Sequence, residues 1–256
     1  MNYVVSDIHG QYDAFQRLLK KIDFKDEDHI YVLGDTIDRG SDGMKLLIQL
    51  IKMPNADVFV GNHELLMMDA IRNEDECIRL DRKDTDDIDL WLDPCNGGEP
   101  TFKDYKELTV AEKAGIMHHL KNAYVCKIVK IGKKTYHLSH SFVYTKKFKD
   151  SLKYKDLSHD EVWDIVWNSI YEKEFLDGTE DYTFPWKTYT YVGGHIFTQR
   201  LDCVDEEGKG IIYYRNNYNG HRVFNVDCGM ALGNKSSQLG CLRLEDEAQF
   251  YVPLIE

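Results

Sequence analysis

The 256-residue chain has no long apolar run. Stretches such as Leu46–Ile51 are interrupted by polar residues and are far too short to cross a bilayer. Paired cysteines are also missing. The six, at 77, 95, 126, 203, 228 and 241, form no C-x-x-C pair and no zinc-finger spacing, so free thiols in a reducing compartment are expected. Positive charge is in deficit, with 32 Lys and Arg against 44 Asp and Glu and a net charge of −12. That balance leaves no whole-chain electrostatic footprint for nucleic acid or an anionic membrane. No repeat and no low-complexity linker is visible. Strand-like residues begin at Asn2 or Tyr3 and reach a chemically informative residue by Asp7. That start suggests no cleavable leader and a cytoplasmic protein.

What the chain does have is an apolar fraction of 43%, enough to bury a substantial core at the upper end of single-domain size. It also has three short segments near its front: S-D-I-H-G at 6–10, G-D-T-I-D-R-G at 34–40 and G-N-H-E at 61–64. Each follows an apolar, β-branched run, Tyr3–Val5, Ile30–Leu33 and Val58–Val60. Taken singly, each reads as a turn or a helix cap, because Asp, Asn and Gly are ordinary turn residues. Their joint order does not: carboxylates and imidazoles follow three successive strands, each with a glycine where the backbone must bend. Such convergence suggests metal ions, and metal ions in such a crevice suggest hydrolysis.

Between these segments, Phe15, Leu18, Leu19 and Ile22 recur at helical spacing, as do Met44, Leu47, Ile48 and Ile51 before Pro54. This is βαβ patterning, which predicts parallel strands with functional residues at their carboxyl ends. Residues 73–107 are acidic, with Asp84, Asp86, Asp87, Asp89 and Asp93, and turn-rich from Pro94 to Pro100; they are expected to be a surface insertion. Capping boxes at Thr109/Glu112 and Ser158/Glu161 predict two helix starts. From Tyr189 onward, short β runs predict a second sheet. The expectation is one α/β domain over 1–256, two packed β-sheets flanked by helices.

The three segments together resemble the calcineurin-like metallophosphoesterases, in particular the phosphoprotein phosphatase branch and its phage and bacterial members. N-G-G-E-P-T at 96–101, K-T-Y-H-L-S-H-S-F at 134–142, V-G-G-H at 192–195 and N-V-D-C-G-M-A-L-G at 225–233 are similar to later family blocks, so the likeness runs to about residue 245. The resemblance implies an α/β/β/α sandwich holding two divalent ions, manganese first, with iron or zinc as alternatives. Asp7, His9 and Asp35 would form one site; Asp35, as the bridge, with Asn62, His140 and His195 would form the other. Two such ions activate a water and clamp a phosphoryl group for in-line attack. By the same resemblance His63 is not a ligand but a proton donor, held as imidazolium and oriented by Asp38. Arg39 supplies a fork of donors to phosphate, alongside Asn62.

Of the ten histidines, His29, His118, His119, His159 and His221 are given no role. His137 competes with His140, but His140 stands at the end of its strand. Three departures stand out: Ser6 where glycine is usual, Ile196 in place of threonine, and Ser169 in V-W-N-S at 166–169, where the family carries a phosphate-gripping arginine. Lys173, Lys187 and Arg200 are possible replacements. The leading expectation is a phosphomonoesterase for phosphoserine, phosphothreonine and small phosphoesters. The alternative is a dinucleoside polyphosphate (diadenosine tetraphosphate) hydrolase. That branch, by resemblance, carries Gln in place of His9 and G-N-H-D in place of G-N-H-E. A third reading is a catalytically silent binding scaffold. The substrate expected is a phosphorylated protein or small phosphoester, with no nucleic-acid or membrane partner.

Overall fold

A computed structural model describes residues 1–80, 86–141, 151–169, 189–216 and 222–255, the side chains of 73–80 excepted. Its first sheet contains β1 (Asn2–Val5), β2 (His29–Val32) and β3 (Ala56–Val58), flanked by the late strands β10 (Gln238–Arg243) and β11 (Gln249–Pro253), in the order β11-β10-β1-β2-β3. β1, β2 and β3 are parallel, and β10 runs antiparallel to β1. The second sheet has the order β6-β4-β5-β7-β9-β8. It comprises β4 (Tyr124–Ile131), β5 (Lys134–Ser139), β6 (Leu152–Lys153), β7 (Tyr189–Gly193), β8 (Tyr213–Asn216) and β9 (Arg222–Asn225). Its centre, β5-β7-β9, is again parallel.

The two sheets pack face to face because strand residues alternate sides. Tyr3 and Val5 of β1, with Ile30 and Val32 of β2, face a cluster that includes Phe15 and Leu18 of α1 (Tyr12–Lys21) and Leu46, Leu47 and Leu50 of α2 (Gly43–Lys52). Val4, Tyr31 and Leu33 point the other way, into a second cluster with Tyr136, Leu138, Val192 and Phe224 of the second sheet. Phe59 forms a parallel bridge to Tyr124, and Val60 N–H donates to the Tyr124 carbonyl at 2.8 Å, which ties the two sheets at one corner.

Helices cover the outer faces: α3 (Asn62–Leu80), α4 (Asp86–Leu92), α5 (Glu99–Glu107), α6 (Val110–Asn122) and α7 (His159–Trp167). Both expected capping boxes are formed, at the starts of α6 and α7. The stretch expected as an acidic surface insertion contains α4 and α5, and within it Trp91, Thr101 and Tyr105 are buried. Cys95, Cys126, Cys203, Cys228 and Cys241 carry free thiols. Among the described residues no helix is long and apolar enough to cross a membrane.

Candidate metal centre and active site

The carboxyl ends of six parallel strands meet at one crevice between the sheets. Beyond β1 lie Asp7 and His9; beyond β2, Asp35, Asp38 and Arg39; beyond β3, Asn62 and His63; beyond β5, His140; beyond β7, His195; beyond β9, Asp227. Asp7, His9, Asp35, Asp38, Arg39 and His195 all have φ between 47° and 71°. Side-chain-bearing residues avoid that left-handed region unless their surroundings over-determine it. Here the rungs between β1 and β2 continue into the loops: Asp7 N–H donates to the Gly34 carbonyl at 3.1 Å, His9 to Asp35 at 2.9 Å and Gly10 to Thr36 at 2.9 Å. Two glycines admit the ligands by having no Cβ. One added at Gly61 would lie 2.6 Å from the Asp35 nitrogen, and one at Gly194 would overlap Asp7 Oδ2 and Ser6 Oγ.

Two groups of side chains, His9–Asp35–His63 and Asp35–His140–His195, bring their ligand atoms within 4.8 Å of one another. Asp35 belongs to both: its Oδ2 is 3.7 Å from His9 Nε2 and its Oδ1 is 3.5 Å from His140 Nε2. Asp7 Oδ1 lies 4.0 Å from His9 Nε2. The imidazoles are turned so that lone pairs face inward. His140 Nδ1 lies 2.8 Å from the Leu33 carbonyl and His9 Nδ1 3.2 Å from that of Ile37. Donation there assigns the inner nitrogens as acceptors. His140 Nε2 and His195 Nδ1 stand 3.3 Å apart, each 3.0 Å from Asn62 Oδ1.

Electrostatics agrees with this donor set. Burial, then repulsion from His63 and Arg39, holds His9 well below its usual pKa. Burial also lowers His140, and it pushes His195 down to about 3. These rings are therefore neutral, the form that ligates metals. Asp35 is driven well above the usual carboxylate range, first by burial and then by the charges of Asp7 and Glu64. A buried assembly of carboxylates and neutral imidazoles of this kind fits divalent cations with mixed nitrogen and oxygen ligation.

His63 has a different surrounding. Its Nδ1 is 2.8 Å from Asp38 Oδ2, while Nε2 faces the crevice 3.8 Å from Asp35 Oδ2. Asp38 is fully buried and its backbone N–H donates to Thr101 Oγ1 at 2.9 Å. Next to it Arg39 is anchored by its backbone N–H to the Gly97 carbonyl at 2.8 Å, and its side chain is exposed. All nine side chains expected from sequence to form the site, Arg39 included, are thus brought to one place.

Sequence reasoning assigned no role to two further groups. Glu64, fully buried, accepts hydrogen bonds from the backbone N–H groups of Asp35 (2.8 Å), Thr36 (2.8 Å) and Gly61 (2.9 Å). Asp227, buried beyond β9, has its pKa raised by burial and by the charge of Asp7. Its position in N-V-D-C-G, after the sixth strand, was the available signal. Asn225 Nδ2 donates to the Ile196 carbonyl at 2.5 Å, so the chain after His195 is supported through its backbone. His137 is buried within β5 with its ring 5.7 Å from that of Tyr191, apart from the crevice. Ser169 is buried after α7. Of its possible replacements, Lys173 and Lys187 lie outside the described residues, as does His221. Arg200 is exposed over the Phe197 ring, and its charge helps to lower His195.

The fold of two sandwiched mixed sheets recurs in solved structures. A protein serine/threonine phosphatase from Saccharomyces cerevisiae aligns over 100% of this chain and 80% of its own at a TM-score of 0.56 and 13% identity. A putative diadenosine tetraphosphatase aligns over 100% and 94% at 0.52 and 15%. At those identities the likeness concerns the fold. The family profile for Calcineurin-like phosphoesterase matches residues 3–196, and the chain belongs to that family. Its members use a dinuclear metal centre. Relatives in sequence include symmetrical bis(5'-nucleosyl)-tetraphosphatases. That of Delftia acidovorans is 33% identical over 99 residues, covering 35% of each chain. That of Legionella pneumophila (strain Corby) is 36% identical over 69 residues, covering 26% of this chain and 25% of its own. The chain thus spans about a quarter to a third of the length of the curated relatives it matches. Their names are those of the dinucleotide alternative and not of the phosphomonoesterase that the sequence put first.

The two positions behind that first preference both lie in the crevice. Glu64 binds backbone N–H groups and His9 faces Asp35.

Proposed function

We propose that this chain hydrolyses dinucleoside tetraphosphates at a dinuclear metal centre, by in-line attack of water on a phosphorus of the polyphosphate chain. The observation that carries the hydrolytic reading is the pair of ligand groups sharing Asp35, each with inward-facing donors. The names of the sequence relatives support the choice of substrate. Asp7, His9 and Asp35 would hold one ion, and Asp35, Asn62, His140 and His195 the other. Manganese is our choice by resemblance to bacterial members. When bound, such ions lower the pKa of a coordinated water and neutralise phosphate oxygens. The exposed Arg39 guanidinium presents paired donors to a phosphate, with Asn62 beside it. His63, oriented by Asp38, gives a proton from Nε2 to the leaving oxygen.

A second reading, cleavage of phosphoserine, phosphothreonine or small phosphomonoesters, is favoured by the same His63–Asp38 pair. An alkoxide leaving group needs protonation more than a nucleoside diphosphate does. The deciding experiment supplies manganese, zinc or magnesium to metal-stripped protein and compares diadenosine tetraphosphate with a phosphoserine peptide and an aryl phosphate. Metal-restored preference for the dinucleotide supports the first reading. Preference for the peptide replaces it with the second, and inertness toward all three removes both.

A further inference from the structure

We propose that Trp91 is a positioning residue for His63, acting through Asp38, and that the segment 91–101 braces the loop carrying Asp38 and Arg39. This rests on the reading of His63 as proton donor. Asp38 Oδ2 receives two donors, His63 Nδ1 at 2.8 Å and Trp91 Nε1–H at 2.9 Å, and all three side chains are almost completely buried. Asp38 Oδ1 has no hydrogen-bond partner among the described residues. The rotation of the carboxylate is therefore set by what holds Oδ2. His63 cannot fix it alone, because its own ring is what Asp38 must fix. The indole supplies the outside reference.

The indole is itself held tightly. A Cβ at Gly98 would come within 2.6 Å of both Trp91 Cδ1 and Nε1, so the glycine backbone lies directly against the ring. Phe102 meets it edge-on, with centroids 5.6 Å apart at 71°. The same segment grips the loop at three further points. Thr101 Oγ1 accepts from Asp38 N–H, the Gly97 carbonyl accepts from Arg39 N–H, and Gly97 packs against the Arg39 side chain. Asp38 and Arg39 are consecutive left-handed residues, at φ 69° and 65°. A strained pair persists only where neighbours over-determine it, and residues 91–101 supply that determination. The proton donor and the phosphate-facing arginine are thereby placed by one element.

Trp91→Phe keeps an aromatic ring and removes the shared N–H. It should lower kcat about 10-fold on phenyl phosphate, whose leaving group is basic, and no more than about 3-fold on nitrophenyl phosphate, leaving KM and metal content unchanged; a general acid typically supplies about 10²–10⁴-fold. His63→Asn should show the same leaving-group dependence with a larger loss, and adding Trp91→Phe to it should cost nothing more, because the indole acts only through the imidazole. In ¹H–¹⁵N spectra of the metal-stripped protein, the His63 Nδ1–H proton that faces Asp38 should be held in one sharp resonance in the parent and should shift and broaden in Trp91→Phe. Equal losses on both esters, or additive losses in the double variant, would assign Trp91 a structural role and overturn the proposal. Parent-like turnover of Trp91→Phe beside a leaving-group-dependent His63→Asn would overturn it while leaving His63 as the acid. A His63→Asn loss independent of leaving group would bring down both.

Discussion

Glu64→Gln and Glu64→Asp test whether the crevice is assembled by a buried carboxylate that never meets substrate. Glu64 Oε2 takes the N–H groups of Asp35 and Gly61 and Oε1 takes that of Thr36, at 2.8–2.9 Å. In Gln the two N–H groups on one oxygen can keep an acceptor, but the new amide opposes Thr36 N–H donor to donor. An orphaned buried donor costs about 1–3 kcal/mol, and bonds to a charged acceptor lose about 1 kcal/mol each on becoming neutral. Removing a charge beside Asp35 and Asp7 returns part of this. A net loss of about 3 kcal/mol follows, which in a chain of this size lowers Tm by roughly 6–12 °C. Asp, one methylene shorter, cannot span both loops and should lose about 1–3 kcal/mol while keeping the negative charge. Thermal unfolding of metal-stripped protein reads these losses. In the metal-loaded protein, the ratio of dinucleotide to phosphopeptide turnover should stay unchanged in Glu64→Asp. A Tm within about 1 °C of the parent for both variants, or a switched substrate ratio in Glu64→Asp, would refute the reasoning.

Three further outcomes are expected. His63→Asn should lower turnover of alkyl phosphates by about 10²-fold or more and of activated aryl phosphates much less; equal losses in steady-state rates would count against proton donation. Asp35→Asn, which removes the carboxylate common to both ligand groups, should abolish binding of both ions; elemental analysis finding two retained ions would rule out its bridging role. Metal affinity should rise with pH. Burial and the charges of Asp7 and Glu64 raise Asp35 above the ordinary carboxylate range, whereas burial lowers His9, His140 and His195 from the usual imidazole value. Of these groups the carboxylate is therefore the one whose proton a metal ion displaces. Calorimetry in two buffers of different ionisation heat should register its release, and an affinity independent of pH wherever the protein stays folded would contradict the assignment.

The legible part of this molecule is local. Alternating apolar runs followed by Asp, His, Asn and Gly specify β1, β2, β3 and the helices between them, because strand period, helix period and turn chemistry are written in adjacent residues. His140 and His195 were found through the resemblance of their segments to later family blocks, with His140 preferred over His137 because it stands where its strand ends. The acidic stretch at 73–107 shows the limit. Its charges and turn residues describe a surface, yet α4 and α5 bury Trp91 and set its N–H on Asp38, 53 residues away in sequence. Composition could not show that, since the indole's partner lies across the fold. Glu64 was visible as a letter in G-N-H-E, but its task depends on three N–H groups from two separate loops. Asp227 joins the crevice only because β9 pairs in parallel beside β7. The sequence by itself determined which residue types stand at strand ends, which points to metal-assisted hydrolysis, and the family motifs they form, which point to phosphoesters. The tertiary structure decided which of them meet, which imidazole nitrogens face inward and what braces the proton donor, because those properties arise from contacts between segments that sequence leaves far apart.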